Sequence, residues 1–240
     1  MRKFTTKIFT LLLSALMPEQ QLQIELARES LLALAERALF WPRMKTLFVA
    51  DVHFGKDATF RKAMRWVPPG TTTDDLRRLS DLVSGHKAKQ LIVLGDTFHS
   101  EHAREDETFE QLRNWRKSVR ANVLLVKGNH DREAIELAQE AGFDWLEEDH
   151  SLPPFTLRHC PCEKPPDGYA LCGHLHPEVI ARGLARQSLR IRCFWIRSHE
   201  CVLPAFGGFT GGYVVQPTTR DRVLLVAGDS ILEASTARRK

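Results

Sequence analysis

Lys45-Thr-Leu-Phe-Val-Ala-Asp-Val-His53 decides how this chain is read. Residues 45–50 form a short apolar run of the kind found in strands buried on both faces. The run ends directly on Asp51 and His53, two side chains able to ligate a metal. The arrangement then recurs. Gln90-Leu-Ile-Val-Leu94 ends on Gly95-Asp96, and Val123-Leu-Leu-Val126 leads to Gly128-Asn129-His130-Asp131. Tyr169–Cys172 leads to Gly173-His174-Leu-His176, and the strand Phe155–Arg158 is closed by His159. In open α/β sheets, ligands gather at the carboxyl ends of strands, so residues far apart in sequence can meet in one crevice.

Helices are expected between the first strands. Thr73 reads as an N-cap, with Asp74 and Asp75 in the first turn and Leu76, Leu79, Leu82 and Val83 as the apolar stripe. Residues 104–120 read as a second helix, and 132–141 as a third, ended by Gly142. Residues 66–70 are a loop. Upstream, Leu22, Ile24 and Leu26 alternate as in a strand, whereas the Ala/Glu/Arg content of 27–38 pulls toward helix. From residue 152 onward short alternating runs dominate: 155–158, 169–172, 189–196, 212–216 and 222–227. A strand–helix first half and a β-rich second half fit an α/β layered fold. No repeat, low-complexity segment or long linker divides the chain, so residues 21–240 are read as a single domain preceded by an extension, 1–20.

The chain has 240 residues, 27% charged and 43% hydrophobic, with a formal net charge of +4. That balance excludes disorder and coiled coil as the main state. No window of 18 uninterrupted apolar residues exists, so neither a transmembrane helix nor a membrane partner is expected. The mild positive charge permits a nucleic-acid partner without demanding one. Five cysteines, an odd number in a chain of this size, argue against a disulfide framework and for a reduced, cytoplasmic setting. Cys160-Pro-Cys162 has no second pair at zinc-finger spacing, which argues against a structural zinc site. Arg2, Lys3 and Lys7 before Ile8–Leu16 outline a secretory signal, but Thr10 and Ser14 interrupt it and no small-x-small cleavage site follows. Met17 is a plausible start, so the extension need not be native.

Carboxylate, imidazole and one side-chain amide make up the ligand set. This mixture suits Mn, Fe or Zn better than Mg or Ca. A carboxylate can bridge two cations, and paired metals are a device for cleaving phosphate esters.

The series Asp51-x-His53, Gly95-Asp96, Gly128-Asn129-His130-Asp131, His159, Gly173-His174-x-His176 resembles the calcineurin-like metallophosphoesterase superfamily. Ala38–Pro42, Asp51–Lys56, Thr59–Arg61, Cys193–Trp195, Leu203–Gly207 and Phe209–Gly211 are similar to one branch of it, the bacterial ligase-associated DNA-damage-response endonucleases called PdeM. The resemblance implies a layered αββα sandwich with a di-metal site at the C-terminal ends of strands. It implies two divalent metal ions, Mn²⁺ first and Fe or Zn as alternatives. Asp51, His53 and His176 would hold one ion, Asn129, His159 and His174 the other, and Asp96 would bridge them. A metal-bridging water or hydroxide would attack phosphorus in line. His130 would act at the leaving oxygen and Asp131 would orient it. His150 also lies between the third and fourth motifs, but it follows the acidic turn 147–149, and His159 is favoured. His99 and His102 could line the site, although surface roles suit them better.

Lys56 and Arg61 follow the first motif closely and could meet a substrate phosphate, with ordinary ion-pair roles equally open. Arg113, Arg116, Lys117 and Arg120 share one face of the second helix, and Arg190 and Arg192 one face of a strand, with Arg182, Arg186 and Arg197 nearby. Such stripes can follow a phosphate backbone, although a basic helix face is more often simply solvated. Phe194 and Trp195 point to opposite strand faces, so at most one could stack on a base, and core packing suits Trp195. The expected function is a two-metal phosphodiesterase, a DNA endonuclease of damage repair. The resemblance implies an ATP-dependent DNA ligase, a nuclease and a helicase of the same pathway as partners. The rivals are a nucleotide phosphatase or dinucleoside-polyphosphate hydrolase, and a non-catalytic repair scaffold.

Overall fold

The computed structural model describes residues 19–56, 71–98, 107–129, 131, 134–163, 167–182 and 188–234. Two sheets face each other. The first contains β1 (Gln21–Leu26), β2 (Glu29–Leu34), β3 (Ala38–Trp41), β4 (Thr46–Ala50), β5 (Gln90–Leu94), β6 (Asn122–Val126) and β7 (Asp144–Leu146), paired in that order. The second contains β8 (His150–Leu152), β9 (Phe155–Leu157), β10 (Tyr169–Cys172), β11 (Pro177–Arg182), β12 (Ser188–Ile196), β13 (Glu200–Val202), β14 (Tyr213–Val214), β15 (Arg222–Ala227) and β16 (Ser230–Ala234). Its order is β14-β11-β12-β13-β10-β9-β8, with the β15–β16 hairpin joined to β12.

Helices α1 (Thr71–Gly85), α2 (Glu107–Ser118) and α3 (Ile135–Glu140) pack on the outer face of the first sheet. Leu76, Leu79 and Leu82 of α1 and Leu112 and Trp115 of α2 meet Leu47, Val49, Leu91 and Val93 there. Each such side chain contributes about 1.5–3 kcal/mol by leaving water. A second core, with Phe48, Leu94, Leu157, Leu171 and Phe194, fills the space between the sheets. A smaller cluster around Cys193, Val223 and Leu225 lies on the other face of β12 and β15. The layered α/β sandwich expected from the resemblance is therefore present, with the described helices all packed on the first sheet.

Strands β4, β5, β6 and β7 are parallel, as are β9, β10 and β13. Parallel strands end on the same edge, so the motifs after β4, β5, β6, β9 and β10 share one rim. The segment Leu203–Gly207 joins the two sheets at that rim, where Phe206 N donates to Ala50 O at 2.8 Å.

Three expectations need correction. Residues 27–38 do not tend to helix. Ala27 and Arg28 form a tight turn with φ of 50° and 65°, and β1 and β2 pair in register from Gln21↔Leu34 to Leu26↔Glu29. Burial of Leu31 and Leu34 outweighs the helical propensity of Leu, Ala and Glu. Thr73 does not cap α1, which already begins at Thr71. Phe194, not Trp195, is the fully buried member of its pair, at 0% exposure. Trp195 is half-buried against the outer cluster, where its indole N–H donates to Asp221.

Candidate metal centre

Asp51 stands at the end of β4 and is fully buried. The backbone N–H of His174 donates to its Oδ2 at 2.8 Å, which aims Oδ1 inward. Oδ1 accepts no hydrogen bond among the described residues, although His176 Nε2 stands 3.5 Å away and His159 Nδ1 3.8 Å away. A buried, unsatisfied carboxylate oxygen is expensive, and a cation is the ordinary remedy.

The neighbouring imidazoles present lone pairs to the same place. His176 Nδ1 lies 2.9 Å from the Gly211 carbonyl and must donate to it. Its Nε2 is therefore left as an acceptor, 3.4 Å from His53 Nε2. Such an outer hydrogen bond fixes the tautomer of a metal-binding histidine. His159 Nδ1 faces Leu94 O at 3.4 Å, leaving Nε2 3.0 Å from His174 Nδ1 and 3.5 Å from Asp96 Oδ1. The ligand atoms of Asp51, His53 and His176 lie within 4.8 Å of one another, and so do those of Asp51, Asp96 and His159. His159 groups with His174 in turn, so Asp51 and His159 link the groups into one cluster. The donor set fits divalent cations. Asp51, His53 and His176 could hold a divalent cation, and so could Asp51, Asp96 and His159, with His174 beside His159.

The backbone is strained where these side chains depart. Asp51, His53, Asp96, His174 and His176 have φ of 52°, 53°, 44°, 69° and 49°. Five of the seven candidate ligands therefore occupy the left-handed region, where strain collects at functional sites. Close approach explains two glycines. A Cβ on Gly95 would lie 2.0 Å from His159 Nδ1, and one on Gly128 would lie 2.2 Å from Asp96 N. Asn129 follows Gly128 in this loop and is exposed.

Burial pulls the His174 imidazolium below its usual range, helped by His159. Burial also opposes charge on His176, but the neighbouring Asp51 carboxylate raises its pKa. Lys56 lines a small hollow with His53, Thr72 and Thr210. Burial lowers its pKa against the opposing pull of Asp51 and Asp96, so its ammonium feels both carboxylates.

Asp131 is buried and does something its sequence position did not suggest. Its Oδ1 accepts from Phe98 N and its Oδ2 from Gly128 N, each at 3.0 Å. It thereby ties the segment after Asp96 to the loop carrying Asn129. Burial pushes its pKa up to about 6. His130, Arg61, His99 and His102 lie outside the described residues. His150 begins β8 and joins none of the ligand groups.

Cys160 and Cys162 part company. The Cys160 thiol falls in a group with His159 and His174, while Cys162 donates to Glu200 Oε2 at 3.3 Å. Cys162, His199 and Glu200 also cluster, but Cys162 N at 2.9 Å and the Arg197 guanidinium already occupy the two Glu200 oxygens. The basic stripe of α2 is broken: Arg116 donates to the Gly142 and Val119 carbonyls, and Arg120 lies beyond the helix end.

Sequence reading quoted Leu203–Gly207 and Phe209–Gly211 for a resemblance but gave the segment 205–212 no role at the site. Gly207 N donates to Asp51 O, Gly211 O receives His176, and Arg192 Nη2 donates to Thr210 O at 2.7 Å. Backbone carbonyls carry no residue-type signal, so no motif announces them.

The calcineurin-like phosphoesterase family model matches residues 44–176. The chain belongs to this family. It is accordingly a metal-dependent phosphoesterase, and the family implies divalent metal ions. The crystal structure of Pseudomonas putida nuclease MPE is similar, at 37% identity and a TM-score of 0.75, over 86% of this chain and 96% of that one. No curated protein sequence matches. Among the described residues, no helix is long and apolar enough to cross a membrane.

Proposed function

We propose that this phosphoesterase is a two-metal phosphodiesterase acting on nucleic acid, a DNA endonuclease of damage repair. The observation that carries the phosphodiesterase reading is the run of three ligand groups joined through Asp51 and His159, with the buried Asp51 Oδ1 among them. The nucleic-acid part rests on the likeness to the Pseudomonas putida nuclease and on the resemblance to the ligase-associated endonucleases.

Bound divalent cations would supply a water acidic enough to act as a nucleophile at neutral pH and positive charge for the phosphate oxygens. Manganese is the first choice for this mixed oxygen and nitrogen set. The remaining work belongs to the chain. Asp51, Asp96 and the four imidazoles fix the positions of charge. Gly211 O holds His176 in one tautomer. Lys56, beside the carboxylates, offers a cation to a non-reacting phosphate oxygen. His130 is the proposed donor to the leaving oxygen. His130→Ala should keep its metal and lose roughly a hundredfold or more in rate. The proposed setting is cytoplasmic, with an ATP-dependent ligase, a nuclease and a helicase as partners.

Mn²⁺-loaded protein should hydrolyse an aryl phosphodiester faster than the matching monoester. The opposite ranking would replace this reading with a nucleotide phosphatase.

A further inference from the structure

Three guanidinium groups converge beside the segment 205–210. Arg37 Nη1 donates to Ala205 O and Gly207 O, both at 3.3 Å. Arg192 Nη1 reaches the same Gly207 carbonyl at 3.3 Å. Arg78 Nη1 donates to Phe206 O at 3.1 Å and pairs with Asp75 at 2.8 Å. Together with Ala35, Glu36, Val226, Gly228 and Asp229, these arginines line an open hollow of about 340 Å³.

Three carboxylates, Asp75, Glu36 and Asp229, stand near the three guanidinium groups, but Glu36 and Asp229 are exposed and, among the described residues, make no ion pair with these arginines. Asp75 answers Arg78. Burial alone moves Arg192, holding its guanidinium below the ordinary arginine range, and no carboxylate offsets it. Carbonyl oxygens accept hydrogen bonds from Arg37 and Arg192 but supply no net negative charge. A half-buried guanidinium against carbonyls alone is a poor resting arrangement, and an anion improves it. Planar forks of N–H donors match the paired oxygens of phosphate as they do those of carboxylate, and a phosphodiester is the anion a nucleic-acid substrate brings.

The location fits a long substrate. The turn carrying Arg37 precedes β3, which pairs antiparallel with β4, so it lies at the same rim as Asp51. The segment 205–210 borders both hollows. Phe209 and Thr210 line the one containing His53 and Lys56, while the arginines grip the carbonyls of Gly207 and Thr210. We infer that the hollow formed by Arg37, Arg78 and Arg192 is a second phosphate subsite, taking a phosphodiester of the same nucleic-acid strand some way along from the one cleaved. This rests on the nucleic-acid reading above.

Val226 lies directly across the ladder from Arg192, so its replacement can place a carboxylate in the hollow without removing an arginine. Val226→Glu is compared with the neutral Val226→Gln, which carries the same bulk and tests folding. Asp229→Asn removes a negative charge from the exposed rim. The probe is a fluorescent single-stranded phosphorothioate oligonucleotide, its binding to Mn²⁺-loaded protein followed by anisotropy over a range of salt. Val226→Glu should bind about fivefold more weakly than Val226→Gln and lower the salt slope by about one ion. Asp229→Asn should tighten binding about twofold. Wild type that binds the oligonucleotide while neither comparison moves its affinity overturns the subsite and leaves the nuclease reading standing. Wild type that hydrolyses a small diester but binds no oligonucleotide overturns the nucleic-acid reading itself.

Discussion

Gly128→Ala tests whether the rim is as tight as its geometry requires. The added Cβ would sit 2.2 Å from Asp96 N, 2.4 Å from Asp96 Oδ1 and 3.0 Å from Asp131 Oδ2. The nearest of these atoms is backbone, so no side-chain rotation relieves the contact. Asp96 or the 128–131 loop must retreat by about 1 Å to restore ordinary separation. Gly128 does not occupy the left-handed region, so the effect is steric and not conformational. Overpacking of this kind costs about 1–3 kcal/mol of stability, and a shift of about 1 Å at a reacting centre costs roughly a hundredfold in rate. The melting temperature should fall by about 2–4 °C per kcal/mol in a chain of this size. Metal content, melting temperature and diester turnover are measured together. Gly85→Ala is the control, since nothing lies within 4 Å of its Cβ position. A Gly128→Ala protein with wild-type metal content and turnover would refute the proposed placement of Asp96 against this loop.

Removing metal with a chelator should destabilise the protein, because the buried Asp51 Oδ1 is then left without compensation. At a free metal concentration of 100 times Kd the bound ion stabilises by about 2.7 kcal/mol, or about 5–10 °C; a melting temperature indifferent to chelation would contradict this. Asp131→Ala leaves the buried N–H groups of Phe98 and Gly128 without acceptors. The expected loss is about 1–3 kcal/mol for each orphaned N–H, partly offset because the lost carboxylate is itself costly to bury. Normal denaturant stability with lost turnover would instead point to a direct role beside His130. His159→Ala should bind less metal, whereas His150→Ala should bind as wild type does, since only His159 stands beside His174 and Asp96. Metal analysis of the two purified variants decides it.

Much of the rim was legible because its chemistry sits where strand periodicity stops. Gln90–Leu94 is β5 to the residue, and Thr46–Ala50 lies inside the run that leads to Asp51. An apolar run followed by Gly-Asp or Asp-x-His is a local signal, and parallel pairing turns several such signals into one site. The first hairpin was harder. Glu29–Leu34 contains good helix formers, and only its pairing with β1 and β3 makes it a strand. Asp131 was legible as a polar residue in a motif but not as a clasp, because its partners are backbone N–H groups, one of them 33 positions away. The arginine grip on residues 205–212 was invisible for the same reason. Arg37 and Gly207 are 170 positions apart and meet through a carbonyl. Sequence pattern registers side chains at fixed spacing, and long-range contacts to backbone have none.

The central claim is that the centre containing Asp96 cuts nucleic acid internally. Covalently closed single-stranded DNA with Mn²⁺, treated with wild type beside Asp96→Asn, tests it most directly, since a circle offers no ends. Wild type should linearise the circle and Asp96→Asn should leave it closed. Equal cutting by the variant would contradict the two-metal site. An intact circle with metal-loaded wild type would contradict the endonuclease reading.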